Sequence, residues 1–332
     1  MSSVYRPLLR RAWLLTLHAK QLWLFGLFSA LVVSGGEINV LLRNFDRVST
    51  LGTLTASVRE GGFDFSFLTF TPWWGLPTGF YVVSALLLLL VCFLVWFALV
   101  SQGALIWALE RERRREHRGV EESIAAGKRN FWRTTILTVG FHVITSVAWV
   151  IFSLPPFLLY LAFGSSLWYT LFLLVSFLCL IPLGLLCTFL YRLALVAALT
   201  ESLSPVDALR SAWRLFLANW LVVIEMVIIL TFGTTVAAVI ALSVAVVGLI
   251  IIFGPLALLS FIMGVPLAVS LTFGAVVVAF FLSIMGVGAL LATFQQAVWL
   301  LLYTRLKESP PFAKIVRIIA SLPRLFQRRA AE

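Results

Sequence analysis

The chain has 332 residues, of which 61% are hydrophobic and 12% are charged, and its formal net charge is +11. Soluble domains carry about 45–50% apolar and about 25% charged residues. A soluble fold cannot bury this much apolar surface, so a lipid bilayer is the expected solvent for much of the chain. The three cysteines, Cys92, Cys179 and Cys187, lie in apolar runs and have no metal-ligand spacing.

Six hydrophobic segments are predicted to span the membrane, because about 20 apolar residues cross its hydrocarbon layer. The predicted fold is therefore all-α, a polytopic helical bundle. In chain order the segments are 22–42, 80–109, 134–154, 168–198, a fifth from 220 to 247, and a sixth that ends near Tyr303.

Glycine and proline mark the expected breaks between spans. Gly35-Gly36 interrupts the first segment, and Pro155-Pro156 is expected to end the third. Between 220 and 303 the sequence is compatible with two, three or four spans. The natural break there lies between Gly254-Pro255 and Pro266.

The Lys and Arg residues lie almost entirely on one side of this arrangement. With six spans and the N-terminus inside, all but three of the 25 fall on the inner side. Cytoplasmic loops carry this excess, which predicts the cytoplasmic membrane of a prokaryote, both termini inside, and an outer loop over 35–79. The basic charge then belongs to inner-facing loops beside anionic lipids, and the interpretation as a nucleic-acid-binding protein is excluded. The three exceptions, Arg43, Arg47 and Arg59, lie in the outer loop.

The segment SPVDALRSAWRLFLANW, 204–220, reads as a helix at the inner interface. Ser204 is a good N-cap, Pro205 suits the first helical position and Asp207 completes an S-x-x-D capping box. An apolar face is expected to rest in the lipid, with Arg210 and Arg214 toward the headgroups. The face consists of Leu209, Ala212, Trp213, Phe216, Leu217 and Trp220, and Asn219 marks the turn into the bilayer.

Looser versions of this segment precede two other spans. Ala12-Trp13 matches Ala212-Trp213, and Asn130 with Phe131-Trp132 leads into the third span. We therefore predict a weak three-fold repeat of an interfacial helix followed by a two-span hairpin, within a single transmembrane domain over 1–304. The repeats cover 5–109, 120–200 and 204–304.

These motifs resemble a known group of proteins. The A-W-x-L helix before a W-L span, the sequence SPVDALRSAW at 204–213 and the sequence AVWLLLYTRL at 297–306 are similar to uncharacterised prokaryotic multi-span proteins. Those proteins resemble the membrane domain attached to some glycerophosphodiester phosphodiesterases. The resemblance implies the fold and the location, and not phosphodiesterase activity, because the catalytic barrel of those enzymes is a separate soluble domain.

The tail, 305–332, is predicted to be a basic amphipathic helix on the cytoplasmic side. One face is apolar and the other is basic, as expected for a helix that docks on anionic lipid; a protein partner is the alternative. The candidate lipid-surface contacts in the tail are Lys314, Arg317, Arg324 and Arg328.

Polar residues inside the spans are the candidate functional site. Glu225 is an acidic residue well inside a span, and ionisable groups in membranes are functional candidates by default. Arg192 is its most plausible ionic partner, either as part of a substrate or proton site or as a lock between two helices; the third alternative is that the two residues make no contact. His142, Gln295 and Gln296 lie at similar depth, and Gln102 is a further candidate.

The sequence carries no recognisable catalytic constellation. It has no H-E-x-x-H, G-x-S-x-G or C-x-x-C motif, and neither a cofactor nor a metal is expected. The first functional hypothesis is a non-enzymatic protein that organises the membrane or serves as a subunit of a membrane assembly with a protein partner. The second is a transporter or permease component with a polar intramembrane site, and the third is an enzyme acting on lipid.

Overall fold

The computed structural model describes residues 5–33, 78–116, 119–164, 166–263 and 266–308. Within these ranges the chain is all-helical, as predicted. After α1 a single 3-10 turn, Lys20–Leu22, leads into α2. The helices are α1 Tyr5–His18, α2 Trp23–Val33, α3 Thr78–Arg113, α4 Val120–Arg129, α5 Phe131–Phe163, α6 Leu167–Thr200, α7 Pro205–Ile262 and α8 Pro266–Glu308.

Five helices are long and apolar enough to cross a membrane, namely α3, α5, α6, α7 and α8. The membrane character predicted from composition is confirmed at this level. The predicted first span, 22–42, is described only as far as Val33, where α2 ends. Between 220 and 303 the structure has two long helices, which is the lowest of the three counts that the sequence allowed.

One predicted helix end is wrong. α5 continues through Pro155-Pro156 to Phe163. The predicted break between Gly254-Pro255 and Pro266 contains the end of α7 at Ile262, although the helix runs through Pro255 and beyond the predicted end at 247. In an apolar medium a broken helix would leave backbone groups with no water to bond, so a proline in a membrane helix often does not end it. The predicted break at Pro266 is correct, since α8 begins there.

Two of the recurring segments end in an asparagine that bonds to the preceding helical turn, and one begins with a side-chain cap. Ser204 is the N-cap of α7, and its hydroxyl accepts a hydrogen bond from the backbone N–H of Asp207 at 3.2 Å. Asn219 has non-helical dihedral angles (φ −136°, ψ 27°), so α7 bends there as predicted. The side-chain amide of Asn219 donates to the carbonyl of Leu215 at 3.3 Å, and Asn130 makes the same contact four residues back, at 3.1 Å, between α4 and α5.

The repeated Ala-Trp pair has a packing reason. Ala12 and Ala212 are fully buried against the bundle, while Trp13 and Trp213 are 41% and 44% exposed. The apolar face predicted to rest in lipid is therefore divided, because small side chains dock α1 and the start of α7 onto protein. The large side chains on the other face remain exposed, as the lipid interface favours for Trp.

The core lies at one end of the bundle. It joins α1 to the last turns of α3, α6 and α8 and to the part of α7 just after Asn219. Adjacent helices form two hairpins, α5 with α6 and α7 with α8, and α2 packs between α3 and α8. We call this the basic end, because the exposed Arg6, Arg10, Arg11, Arg210 and Arg214 lie there. The far halves of the long helices expose apolar side chains.

Candidate functional site

A buried arginine is the most unusual feature of the bundle. Arg192 lies on α6 about two turns before its end and is 2% exposed. Its Nε and Nη2 atoms find no hydrogen-bond partner among the described residues. A buried charge without a partner is unfavourable by several kcal/mol, so natural proteins pair it or use it.

Arg192 lines a cavity of about 250 Å³ between α2, α6, α7 and α8, which we call the Arg192 cavity. Its wall has a polar part and a part made of small or apolar residues. The polar lining consists of Arg192, Ser29, Thr234, Thr235, Gln295 and Gln296, and the remaining lining consists of Ala30, Ala238, Gly288, Leu291 and Ala292.

The hydroxyl groups of the cavity donate their protons to their own helices. Ser29 Oγ donates to the carbonyl of Gly26 at 3.1 Å, and Thr234 Oγ1 donates to the carbonyl of Leu230 at 2.8 Å. Such bonds to the preceding turn are common for Ser and Thr in membrane helices. The hydroxyl oxygens keep lone pairs with which they can accept a hydrogen bond.

The two glutamines at the cavity differ in their contacts. Gln295 Nε2 donates to Thr234 Oγ1 at 3.4 Å, which is a long contact. Gln296 is 2% exposed and lines the same cavity. Two amides and one guanidinium therefore line one space.

The close approach of α2 and α8 forms one wall of the cavity. Gly26 of α2 faces Thr293 and Ala289 of α8 so closely that a Cβ on it would lie 2.1 Å from Thr293 Oγ1. Ser29 follows Gly26 by one turn and is thereby held at the cavity beside Gln296. α2 and α7 both pack on α8 but scarcely touch each other, so the cavity lies in the gap between them.

Three of the five predicted site residues come together. Arg192, Gln295 and Gln296 line the same cavity, whereas Glu225 and His142 do not. His142 Nδ1 donates to the carbonyl of Thr138 in its own helix at 2.8 Å.

The expected ion pair between Glu225 and Arg192 is wrong. The described ion pairs do not include it, and Glu225 instead accepts a hydrogen bond from the hydroxyl of Tyr5. Tyr5 is buried at the start of α1, so this contact fixes α1 to α7 at the basic end. The sequence placed Glu225 on its helix but did not show in which direction around the helix axis its side chain points.

Gln102 belongs to a second polar cluster that the sequence did not reveal. Its Nε2 donates to the hydroxyl of Tyr191 at 2.6 Å, and that hydroxyl is 3.1 Å from Thr138 Oγ1. Tyr191 is buried beside Arg192 in sequence but faces α3 and α5. Nothing in the local sequence distinguishes Tyr191, Ser29 or Thr234 from the other hydroxyl-bearing residues of the spans.

The proposed lipid-surface arginines are described in part. Arg210 is on the exposed side of α7 with a side chain that is 73% exposed, 3.8 Å from Asp207, and Arg214 is also exposed. The tail residues Lys314, Arg317, Arg324 and Arg328 lie outside the described residues.

A charged cluster links two chain segments at the basic end. Glu201, just after α6, is 2.7 Å from Lys307 Nζ and accepts a hydrogen bond from the hydroxyl of Tyr303 at 2.5 Å. Burial alone would raise the pKa of Glu201, but the hydrogen bonds from Lys307 and Tyr303 outweigh it and lower the pKa below its ordinary value. The cluster holds the connection between α6 and α7 against α8.

Comparison with protein-family models, curated proteins and solved structures finds no match for this chain. The resemblance to the membrane domain of glycerophosphodiester phosphodiesterases stays a prediction from motifs. Among the residues that the structure describes, no group of three or more His, Cys, Asp or Glu side chains is placed to hold a metal ion. The Arg192 cavity is the candidate functional site within the described part of the chain.

Proposed function

We propose that this chain is a multi-pass protein of the prokaryotic cytoplasmic membrane that binds and moves a ligand in the Arg192 cavity, as a transporter or permease component. The observation that carries the proposal is Arg192 itself, a buried cation at a cavity with two nitrogens that bond to no described residue. We further propose six spans with both termini in the cytoplasm, from the asymmetry of Lys and Arg.

The free-energy cost of burying the Arg192 charge favours a functional role for Arg192 over a structural one. A structural arginine in a membrane bundle is expected to pair with a carboxylate or with backbone carbonyls. Glu225 offers such a carboxylate on the neighbouring α7, yet it contacts Tyr5. A ligand that supplies the missing partners would offset the unfavourable burial of the charge.

A second candidate function rests on a separate observation. On α1 and on the first part of α7, exposed tryptophans stand beside exposed arginines, for example Trp213 between Arg210 and Arg214. Such faces are typical of helices that lie in the headgroup layer. They favour a membrane-organising protein or a subunit of a membrane assembly, a role in which no ligand enters the cavity.

A cavity-filling substitution tests the first proposal. Gly288 lines the Arg192 cavity, and a Cβ placed on it meets no atom within 4 Å, so Gly288→Leu is expected to add volume at the cavity. Gly286 has equally free surroundings but does not line the cavity, so Gly286→Leu is the matched control. Both variants gain helix propensity to the same extent.

The measurement is mass spectrometry of the molecules that co-purify after extraction from native membranes into lipid nanodiscs. We expect one enriched small molecule or lipid with the unaltered chain and with Gly286→Leu, and its loss with Gly288→Leu. A stoichiometric protein partner with all three, and no enriched ligand, would refute the transport proposal and support the assembly subunit.

A further inference from the structure

The charge balance of the Arg192 cavity identifies a class of ligand. Among the residues that line it, Arg192 is the only charged one. No acidic side chain of the described residues lines the cavity, and Glu225, the candidate from the sequence, is held by Tyr5 at the basic end. A ligand that neutralises this site therefore carries negative charge.

The donors of the cavity match a group with several acceptor oxygens. Arg192 lines the cavity, and its Nε and Nη2 are buried atoms without a partner among the described residues. These two nitrogens form the fork that binds two oxygens of one carboxylate or phosphate. Gln296 adds a buried side-chain amide to the same lining. These groups can surround a single oxyanion from one side.

The acceptors of the cavity indicate a further feature of the ligand. The hydroxyls of Ser29, Thr234 and Thr235 use their protons on backbone carbonyls, at 3.1, 2.8 and 2.8 Å. Only their lone pairs remain for a ligand. Thr234 Oγ1 already accepts the long hydrogen bond from Gln295. A bare oxyanion leaves Ser29, Thr235 and the second lone pair of Thr234 without a partner, whereas an oxyanion that carries a neighbouring hydroxyl or amine satisfies them.

We infer that the Arg192 cavity binds an oxyanion, a phosphate or carboxylate group, through Arg192 and Gln296, with a hydrogen-bond donor of the same ligand toward Ser29 and Thr234. This inference rests on the proposed function and names the chemistry of its ligand. The same chemistry occurs in the headgroup of an anionic lipid, which would enter through the gap between α2 and α7, and in a free hydroxylated oxyanion.

The experiment uses the full chain in nanodiscs of phosphatidylcholine, whose headgroup carries a fixed cation and no hydroxyl. In one sample phosphatidylglycerol is titrated in, and bound lipid is counted by native mass spectrometry. In a second sample inorganic phosphate or glycerol 3-phosphate is added, and binding is measured as a shift in melting temperature. The variants are Arg192→Gln, Arg192→Lys and Gln296→Leu. Arg114→Gln is the matched control, because the side chain of Arg114 is 51% exposed, pairs with Glu110 at 2.7 Å and does not line the cavity.

We expect Arg192→Gln to weaken binding at least about tenfold, since it removes charge-assisted hydrogen bonds. Arg192→Lys keeps the charge but loses the fork, and retains part of the affinity. Arg114→Gln should leave binding in the cavity unchanged. Arg192→Gln removes an unpaired buried charge, so it is expected to fold; if it does not, Arg192→Lys and Gln296→Leu still report on the site.

The outcomes distinguish a lipid headgroup from a free oxyanion, and failure of the oxyanion assignment from failure of the proposed function. Retention of phosphatidylglycerol without a response to the soluble probes identifies a lipid headgroup, and the reverse identifies a free oxyanion. If neither class binds the unaltered chain, or if Arg192→Gln binds as well as the unaltered chain, the oxyanion assignment is overturned. A neutral or cationic molecule that co-purifies and is expelled by Gly288→Leu would overturn this inference alone and leave the proposed function standing.

Discussion

The contact between α2 and α8 at Gly26 gives a prediction whose magnitude follows from the structure. In Gly26→Ala the added methyl group would lie 2.1 Å from Thr293 Oγ1 and 2.6 Å from the carbonyl oxygen of Ala289. Real Cβ atoms essentially never approach another heavy atom closer than 3.0 Å. The Ala289 carbonyl is backbone within α8, so the two helices must separate.

The expected loss of stability is that of an overpacked core. Insertion of one methyl group into a well-packed site destabilises a protein by about 1–3 kcal/mol, while the helix propensity of Ala over Gly recovers up to about 1 kcal/mol. We expect a net loss of about 1–2 kcal/mol for Gly26→Ala. Ser29 would move with α2, so ligand binding in the Arg192 cavity should weaken as well.

The assay is thermal unfolding in nanodiscs, in which unfolding is measured as the loss of monodisperse protein. Gly140→Ala on α5 is the control, because a Cβ there meets no atom within 4 Å; it should be neutral or stabilising. The double variant Gly26→Ala with Thr293→Ala removes the shorter contact but keeps the contact with the backbone carbonyl, so it should recover only part of the loss. Equal melting of Gly26→Ala and Gly140→Ala would refute the packing of α2 on α8.

Three further predictions concern single contacts. Gly127→Ala places a Cβ 2.4 Å from the carbonyl oxygen of Val100 and should lower the melting temperature as Gly26→Ala does. The lowered pKa of Glu201 stabilises the folded chain above the usual carboxyl range, and this stability is lost as the pH falls through the folded pKa; the melting temperature of Lys307→Met should therefore fall less on acidification than that of the unaltered chain. Ser204→Ala removes the N-cap of α7 and should destabilise by about 1 kcal/mol in the same assay, and no change would argue against that cap.

Local sequence patterns were sufficient to predict much of the architecture. The all-α membrane fold followed from the length and apolarity of the segments, since the bilayer admits little else but helices at this composition. The cap at Ser204 and the bend at Asn219 were predictable, because both depend on contacts within one turn of chain. Arg192, Gln295 and Gln296, which the sequence grouped in one candidate site, line one cavity.

The sequence by itself therefore determined which segments are helices and which polar residues lie within them. Only the tertiary structure decided which polar residues meet, because successive residues of a helix point about 100° apart and the packing of neighbours sets the rotation of each helix. Tyr191 and Arg192 are adjacent, yet one bonds to Gln102 and the other lines a cavity with Gln296. Glu225, the leading candidate by chemistry, faces α1 for the same reason.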